Sequence, residues 1–159
     1  MIKRILIYTA LSILLLSCQE ANVGKSNQFS KDILHFLKNS EKFELLSLDP
    51  YKNKDLINDF HGYQVLGKVA LNMETRNKLI QELLKGMDGA KSVADCFNPR
   101  HGIRANHKGK TIDLVICFEC LQSYLYKGFS SKANFFLVKE LPKPIFDSVL
   151  KEAGILNDK

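Results

Sequence analysis

Apolar residues recur at helical spacing in three parts of the chain. In residues 31–40 they fall three and four positions apart, and the preceding Ser30 is a residue type that caps helix N-termini. The same spacing recurs over residues 73–87 and 142–155. These patterns predict three amphipathic helices, each with an apolar face directed at a common core.

Between these helices the pattern favours β-strands. The predicted strands cover residues 42–48, 60–72 and 91–97, and one or two more lie within residues 121–139. Asp49-Pro50 is expected to end the first strand, because proline cannot donate a hydrogen bond to a neighbouring strand. Gly67 is expected to bend the second strand, since glycine inside a strand weakens its regular pairing.

A further pair of strands is predicted together with its register. If residues 107–110 form the turn, Arg104 lies opposite Asp113, and the apolar residues of both strands share one face. The other predicted pairs are Asn106 with Thr111, Ala105 with Ile112, Ile103 with Leu114, His101 with Ile116 and Arg100 with Cys117. In this register the core is lined by Ile112, Leu114, Ile116 and Phe118, and the opposite face by Thr111, Asp113, Val115 and Cys117.

The order of these elements determines the expected fold class. A helix is followed by two strands, a second helix, at least four strands and a last helix. A parallel sheet would need a helix between successive strands, and the hairpin has none. We therefore expect an α+β domain, with an antiparallel sheet of about five to seven strands and two or three helices packed on one face.

The chain begins with the pattern of an export signal. Lys3-Arg4 precedes an apolar run over residues 5–16, which is too short to span a bilayer comfortably, and Cys18 follows. The stretch Leu15-Leu16-Ser17-Cys18 resembles the lipobox of bacterial lipoproteins, in which the cysteine thiol receives a diacylglycerol. The resemblance implies lipidation of Cys18, and several acyl chains would hold the protein at the membrane without a transmembrane helix.

Three segments follow from these features. Residues 1–17 are interpreted as a signal peptide, residues 18–28 as a lipidated flexible tether, and residues 29–159 as a single α+β domain. In the familiar sorting rule for bacterial lipoproteins, an aspartate after the lipidated cysteine retains the protein at the inner membrane. Because Gln19 occupies that position, the expected location is the outer membrane of the cell envelope.

Composition and charge restrict the expected partners. Apolar residues make up 45% of the chain, which is enough for one domain with a hydrophobic core. Without Lys3-Arg4, 21 basic and 17 acidic residues give a net charge of +4. The basic residues lack the dense runs and interleaved aromatics of a nucleic-acid groove, so nucleic acid is excluded as a partner. A weakly basic surface fits anionic lipid headgroups, whereas the sequence identifies no protein or small-molecule ligand.

The segment from residue 96 to residue 120 contains the candidate chemistry, namely Cys96, His101, Cys117 and Cys120. The first hypothesis is a disulfide from Cys96 to Cys117 or Cys120, which would typically add about 2 to 4 kcal/mol of stability. It is favoured because exported thiols meet an oxidising compartment. The second hypothesis is zinc held by three thiolates and one imidazole. The third is a thiol-redox site in the Cys-Phe-Glu-Cys segment. Arg100 would stabilise a Cys117 thiolate, which favours either metal binding or thiol exchange.

The segment Arg100-His101-Gly102-Ile103-Arg104 resembles the RHGxR segment of histidine phosphatases, in which the histidine becomes phosphorylated. That fold needs a second, distant histidine as the acid partner, whereas the chain after His101 contains only His107. No catalytic residue is therefore assigned. His35 and His61 are interpreted as surface or partly buried polar residues, and the spacing of the sequence identifies no partner for them.

From about His61 to Leu156 the chain resembles an uncharacterised family of small exported bacterial proteins. The resemblance lies in PRHGIR and ICFEC, together with HGYQVLG and KEAGI. It implies a shared domain and transfers no activity. The sequence therefore predicts a lipid-anchored envelope protein whose domain is a non-catalytic binding or structural module with a disulfide at the hairpin end. The alternative is a metal or thiol-redox site at that end.

Overall fold

The fold combines one β-sheet with three helices. The computed structural model describes residues 28–52, 60–128 and 130–155. In chain order the elements are α1 (Lys31–Lys38), β1 (Lys42–Lys52), β2 (Tyr63–Ala70), α2 (Met73–Met87), β3 (His101–His107), β4 (Lys110–Cys117), β5 (Gln122–Lys127), β6 (Ala133–Leu137) and α3 (Lys143–Glu152). Within this described part, no helix is long and apolar enough to cross a bilayer.

The six strands form one sheet in the order β2-β1-β3-β4-β5-β6, and every neighbouring pair is antiparallel. All three helices contribute apolar side chains to one core against the sheet. Its fully buried members include Leu37 of α1, Leu79, Ile80 and Leu83 of α2, Phe146 and Leu150 of α3, and Leu45, Ile103, Leu114, Ile116 and Leu125 of the sheet. The α+β fold with helices on one face is therefore confirmed.

Local signals in the sequence explain two of the helix starts. The Ser30 hydroxyl accepts a hydrogen bond from the Ile33 backbone amide at 3.3 Å, as predicted for an N-cap. At α2, the Asn72 side-chain oxygen accepts from the Thr75 amide at 2.9 Å. These bonds satisfy amides of the first helical turn that have no intrahelical partner.

Two predictions about strands are wrong. Residues 91–97 form no strand, because their polar groups bond instead to the turn after β4 and to β5. The Ala94 amide donates to the Cys120 carbonyl at 3.1 Å, and the Gln122 side chain donates to the Ala94 carbonyl at 2.5 Å. Asp49-Pro50 does not end β1 either. The strand continues to Lys52, with an irregular register against β2 after Leu48.

The predicted bend at Gly67 is a β-bulge. Ser47 pairs with Gly67 and the next residue, Leu48, pairs with Val65, which leaves Leu66 as the extra residue on β2. A side chain at position 67 would also collide with Ile155, since a Cβ there would lie 2.7 Å from its Cγ2 atom. A larger residue at position 67 would therefore force the Ile155 side chain to shift.

A second, smaller apolar cluster lies on the sheet face opposite the helices, which we call the outer face. Leu46, Leu48, Phe60, Tyr63 and Val115 are buried there, with Val65, Phe97 and Tyr126 packed against them. Asp113 and Val115, which were predicted to face away from the helices, lie on this outer face, and both are buried there.

Candidate functional site

The hairpin of β3 and β4 positions the candidate chemistry, and its predicted register is confirmed from His101–Ile116 to Asn106–Thr111. The turn between the strands has positive φ at Lys108 (48°) and Gly109 (70°), the conformation of a two-residue type I′ turn. Because β3 begins at His101, the predicted pair of Arg100 and Cys117 lies one step beyond the paired residues.

The disulfide joins Cys117 to Cys120, so the predicted pairing with Cys96 is corrected. The chain turns immediately after β4, where Leu121 has a φ of +59° and its amide donates to the Phe118 carbonyl at 3.2 Å. This turn brings the two cysteine Cα atoms to 5.1 Å, within the usual range for a disulfide. A regular strand would have directed them to opposite faces.

Cys96 nevertheless lies beside the disulfide at the hairpin end, as predicted. Its sulfur is 3.6 Å from that of Cys120, and its side chain is exposed, whereas both bonded cysteines are buried. The Asn98 amide donates to the Cys120 sulfur at 3.2 Å, and the Cys120 amide donates to the Cys117 sulfur at 3.1 Å. Three sulfurs therefore meet at one point of the structure.

His101 lies on the helix side of the sheet, where the ring is packed between Phe118 and Phe146. Its Nε2 atom is 2.8 Å from a carboxylate oxygen of Asp147 on α3, and its side chain is 2% exposed. Burial lowers the pKa of His101, and the hydrogen bond to Asp147 opposes this only in part. The ring is therefore neutral near pH 7 and donates its Nε2 proton to the carboxylate.

This position of His101 bears on two of the hypotheses. A phosphate-accepting histidine needs access to substrate, whereas this ring is enclosed and already hydrogen-bonded. The metal set is not assembled either, because Cys117 and Cys120 are bonded to each other and His101 is bonded to Asp147. Among the described residues, no three His, Cys, Asp or Glu side chains are grouped so that they could hold a metal ion.

Arg100 and Cys117 line the same small cavity at the hairpin end, together with Asn98, His101, Phe118, Glu119 and Lys143. Asp147, which bonds His101, also accepts a hydrogen bond from the Lys143 ammonium group at 3.0 Å. Burial raises the pKa of Asp147, but the hydrogen bonds from His101 and Lys143 outweigh burial and lower it to about 2. Asp147 is thus ionised at all physiological pH values.

A second polar cluster lies on the outer face. Asp113 accepts two hydrogen bonds from Arg104, at 2.9 and 2.8 Å, and its Oδ2 atom is 2.9 Å from His61 Nε2. Burial raises the pKa of Asp113, but the bonds from Arg104 and His61 outweigh it and lower the pKa overall. Only the Arg104–Asp113 pair was predicted.

The turn at residues 60–63 carries His61 onto this face. His61 and Gly62 have φ values of 57° and 86°, and Phe60 and Tyr63 exchange backbone hydrogen bonds of 3.1 and 3.2 Å. The His61 ring stacks on Tyr126, with centroids 3.7 Å apart. Phe60 lies over Gly102, where a Cβ atom would come within 2.7 Å of the ring. Glycine is a residue type that such a turn favours at Gly62, but the sequence does not identify Asp113 as the partner of His61.

Aromatic rings continue across the outer face towards the edge strand β6. Tyr63 contacts Phe97, Phe97 contacts Tyr124 at a centroid distance of 4.8 Å, and Tyr124 contacts Phe135 at 5.5 Å. Phe135, at the end of this aromatic row, is 47% exposed. The row therefore begins in the buried outer cluster and ends in solvent.

Charged groups on the same face are unequally exposed. Lys42 and Lys68 both bond Glu44, yet their side chains are 57% and 59% exposed and that of Glu44 only 8%. Arg104 is 40% exposed, whereas its partner Asp113 is 5% exposed. The solvent-facing charges of these pairs are therefore cationic.

No protein-family model matches the sequence, and no curated protein matches it. A crystal structure described as a "Putative Lipoprotein from Clostridium perfringens" is similar over 77% of this chain and 89% of that chain, with 16% identity and a TM-score of 0.45. Similarity at this level does not establish a shared function.

Proposed function

We propose that this chain is a lipid-anchored bacterial envelope protein whose domain is a non-catalytic binding module. The anchor is supported by Lys3-Arg4, the apolar run over residues 5–16 and the lipobox-like segment that ends at Cys18, all of which lie outside the described residues. Gln19 favours retention at the outer membrane. The binding role is assigned to the outer face of the sheet.

The partner we propose is an acidic segment of another envelope protein. The observation that carries this proposal is the unequal exposure of the ion pairs, which presents Lys42, Lys68 and Arg104 to solvent while Glu44 and Asp113 are buried. Exposed cations steer an acidic partner towards a surface and discriminate against basic ones. The aromatic row ending at Phe135 adds rigid apolar contact area, of the kind that dominates binding energy at interfaces.

The non-catalytic part of the proposal is supported by the structural roles of His101 and His61. His101 joins β3 to α3 through Asp147, inside an aromatic pocket. His61 joins the 60–63 turn to β4 through Asp113 and stacks on Tyr126. In both cases the histidine and a carboxylate hold two separate elements together. This structural role accounts for both pairs, and no catalytic role is needed to explain them.

The proposal is tested by cross-linking in living bacteria. A photo-reactive amino acid replaces Phe135 in the full-length protein, and in a control protein it replaces Met73, which is exposed at the start of α2. We expect a discrete protein adduct from position 135 only, and its cross-linked peptide should be rich in Asp and Glu. The adduct should weaken several-fold in a Lys42→Gln/Lys68→Gln variant, but not in Lys38→Gln/Lys151→Gln, which alters exposed lysines on α1 and α3.

Three outcomes would contradict the proposal. The first is an adduct to lipid, which would make the outer face a membrane-contacting surface. The second is a protein adduct that is equally strong in the Lys42→Gln/Lys68→Gln variant, because charge would then play no part. The third is the absence of any adduct at position 135 in cells where the protein is folded and present at its usual level.

A further inference from the structure

We propose that Cys96, Cys117 and Cys120 form a thiol–disulfide exchange site, in which Cys96 attacks Cys120 and moves the disulfide. This activity goes beyond the binding role and does not depend on it. The proposal rests on the arrangement of three sulfurs, two of them bonded and the third in contact with one of the pair. The exposed thiol of Cys96 gives this buried disulfide a route to solvent.

The geometry favours attack at Cys120. The Cys96 sulfur lies 3.6 Å from the Cys120 sulfur, so the attacking atom is already in contact with the disulfide sulfur that its thiolate would attack. Hydrogen bonds hold both ends of the site. The Asn98 amide fixes the segment that carries Cys96 to the Cys120 sulfur at 3.2 Å, and the Gln122 side chain donates to the Cys96 carbonyl at 3.3 Å. These bonds hold Cys96 beside the disulfide.

The chemical step is balanced within the protein. The Cys96 thiol loses its proton to water, and its thiolate forms a bond to the Cys120 sulfur while the bond from Cys120 to Cys117 breaks. The electron pair leaves on Cys117, whose sulfur already accepts the Cys120 amide at 3.1 Å, and the Cys117 thiolate then takes up a proton from water. Hydrogen bonding to a thiolate stabilises it, so Cys117 is a competent leaving group. The step is an isomerisation and needs no external oxidant or reductant.

The exchange changes which sulfur an outside thiol can reach. With Cys117 bonded to Cys120, both disulfide sulfurs are buried, at 2% and 1% exposure of the residues. After exchange the disulfide includes the exposed Cys96, which an external thiol can attack to form a mixed disulfide. The ligands of this site are therefore thiol compounds, and Cys96 relays their electrons to the buried pair.

Tryptic peptides distinguish the two disulfides directly. Cys96 falls in peptide 92–100, whereas Cys117 and Cys120 share peptide 111–127. Full-length protein is solubilised from membranes, equilibrated at mildly alkaline pH with oxidised and reduced glutathione, quenched in acid and alkylated before digestion. We expect wild-type protein to yield both the internally bonded peptide 111–127 and a joined pair of peptides. The Cys117→Ser variant should yield the joined pair almost completely, and the Cys96→Ser control none.

If Cys96 is recovered alkylated and unjoined in Cys117→Ser, the proposal is wrong. Because that variant has lost a native bond, a kinetic measurement in otherwise intact protein provides the second test. Reduction of the disulfide by glutathione should slow by about tenfold or more in Cys96→Ser, which lacks the relay. The matched control Val93→Ser, an exposed position on the same segment, should reduce at the wild-type rate. Equal rates for all three proteins would overturn the proposal, whatever the cross-linking of the outer face shows.

Discussion

The His101 ring and the Asp147 carboxylate meet at 2.8 Å and join the start of β3 to α3. The pair lies at the edge of the main core, since the ring is enclosed by Phe118 and Phe146 while Asp147 reaches solvent. The hairpin end is therefore attached to α3 by a hydrogen bond as well as by apolar contacts. This attachment makes the stability of the domain depend on pH.

Replacement of His101 by Phe should flatten the pH dependence of stability between pH 7 and 5. The pKa of His101 is lowered by burial, so the unfolded chain binds the proton first, below about 6.5, and wild-type stability falls as pH falls. The His101→Phe variant has no such histidine and should not lose stability in this way as pH falls. At pH 7 it should be less stable by about 1 to 2 kcal/mol, because the bond to the carboxylate is removed. Thermal unfolding at several pH values measures both effects.

The control is Asp147→Asn, whose amide oxygen still accepts the His101 proton. This variant should keep the slope between pH 7 and 5. It should lose a separate component between about pH 4 and 2, where protonation of wild-type Asp147, with its pKa of about 2, removes its stabilising contribution. An unchanged slope between pH 7 and 5 in His101→Phe would contradict the assigned role of the ring.

Asp113→Asn should destabilise the domain by about 2 kcal/mol. The carboxylate receives bonds from Arg104 and His61, and loss of its charge removes the ion pair with Arg104. The cost is below that of a fully buried pair because Arg104 is partly exposed. Since the pKa of Asp113 is lowered, this stability exists above about pH 4 and is lost on further acidification. Urea unfolding at pH 7 tests the change, and a loss under about 0.5 kcal/mol would contradict it.

Gly102→Ala should lower the unfolding free energy by about 1 to 3 kcal/mol. The added Cβ atom would lie 2.7 Å from the Phe60 ring, so the ring would have to move. The matched test is a double-mutant cycle with Phe60→Leu, which removes the ring. The alanine should be less costly in that background. Strictly additive unfolding free energies would show that Phe60 does not occupy the space above Gly102.

Reduction of the Cys117–Cys120 disulfide should lower the unfolding free energy by about 2 kcal/mol. The bond closes a very short loop, so it restricts the unfolded chain less than the predicted bond from Cys96 would have done. Urea unfolding with and without dithiothreitol measures the difference. A Cys117→Ser/Cys120→Ser variant serves as the control and should not respond to the reductant. The same response in that variant would place the stabilising bond elsewhere.

Features that depend on residues close together in the sequence could be predicted from the sequence. The helix over Met73–Met87 and the pairing of Arg104 with Asp113 follow from periodicity and from a two-residue turn, and both are confirmed. The outer-face cluster could not be predicted in the same way. His61 is 52 residues from Asp113, and their contact exists only because the 60–63 turn folds back over the sheet.

The predicted cysteine pairing is wrong because of the local backbone conformation after β4. A regular continuation of β4 would have separated Cys117 from Cys120. The residue types of Phe118 and Glu119 do not indicate the turn that brings the two cysteines together. Leu121 adopts a left-handed conformation that leucine rarely takes, so its identity gave no signal. The segment around Ala94 was also misassigned, because its hydrogen bonds go to Cys120 and Gln122.

The central claim, that this domain is held at a membrane by lipid on Cys18, is tested most directly by metabolic labelling with radioactive fatty acid. The full-length protein is compared with Cys18→Ser and with the control Cys96→Ser, in total cell protein and in the membrane fraction. We predict label in wild type and in Cys96→Ser, and its complete loss in Cys18→Ser. Label retained by Cys18→Ser, or absent from the wild-type protein, would contradict the account.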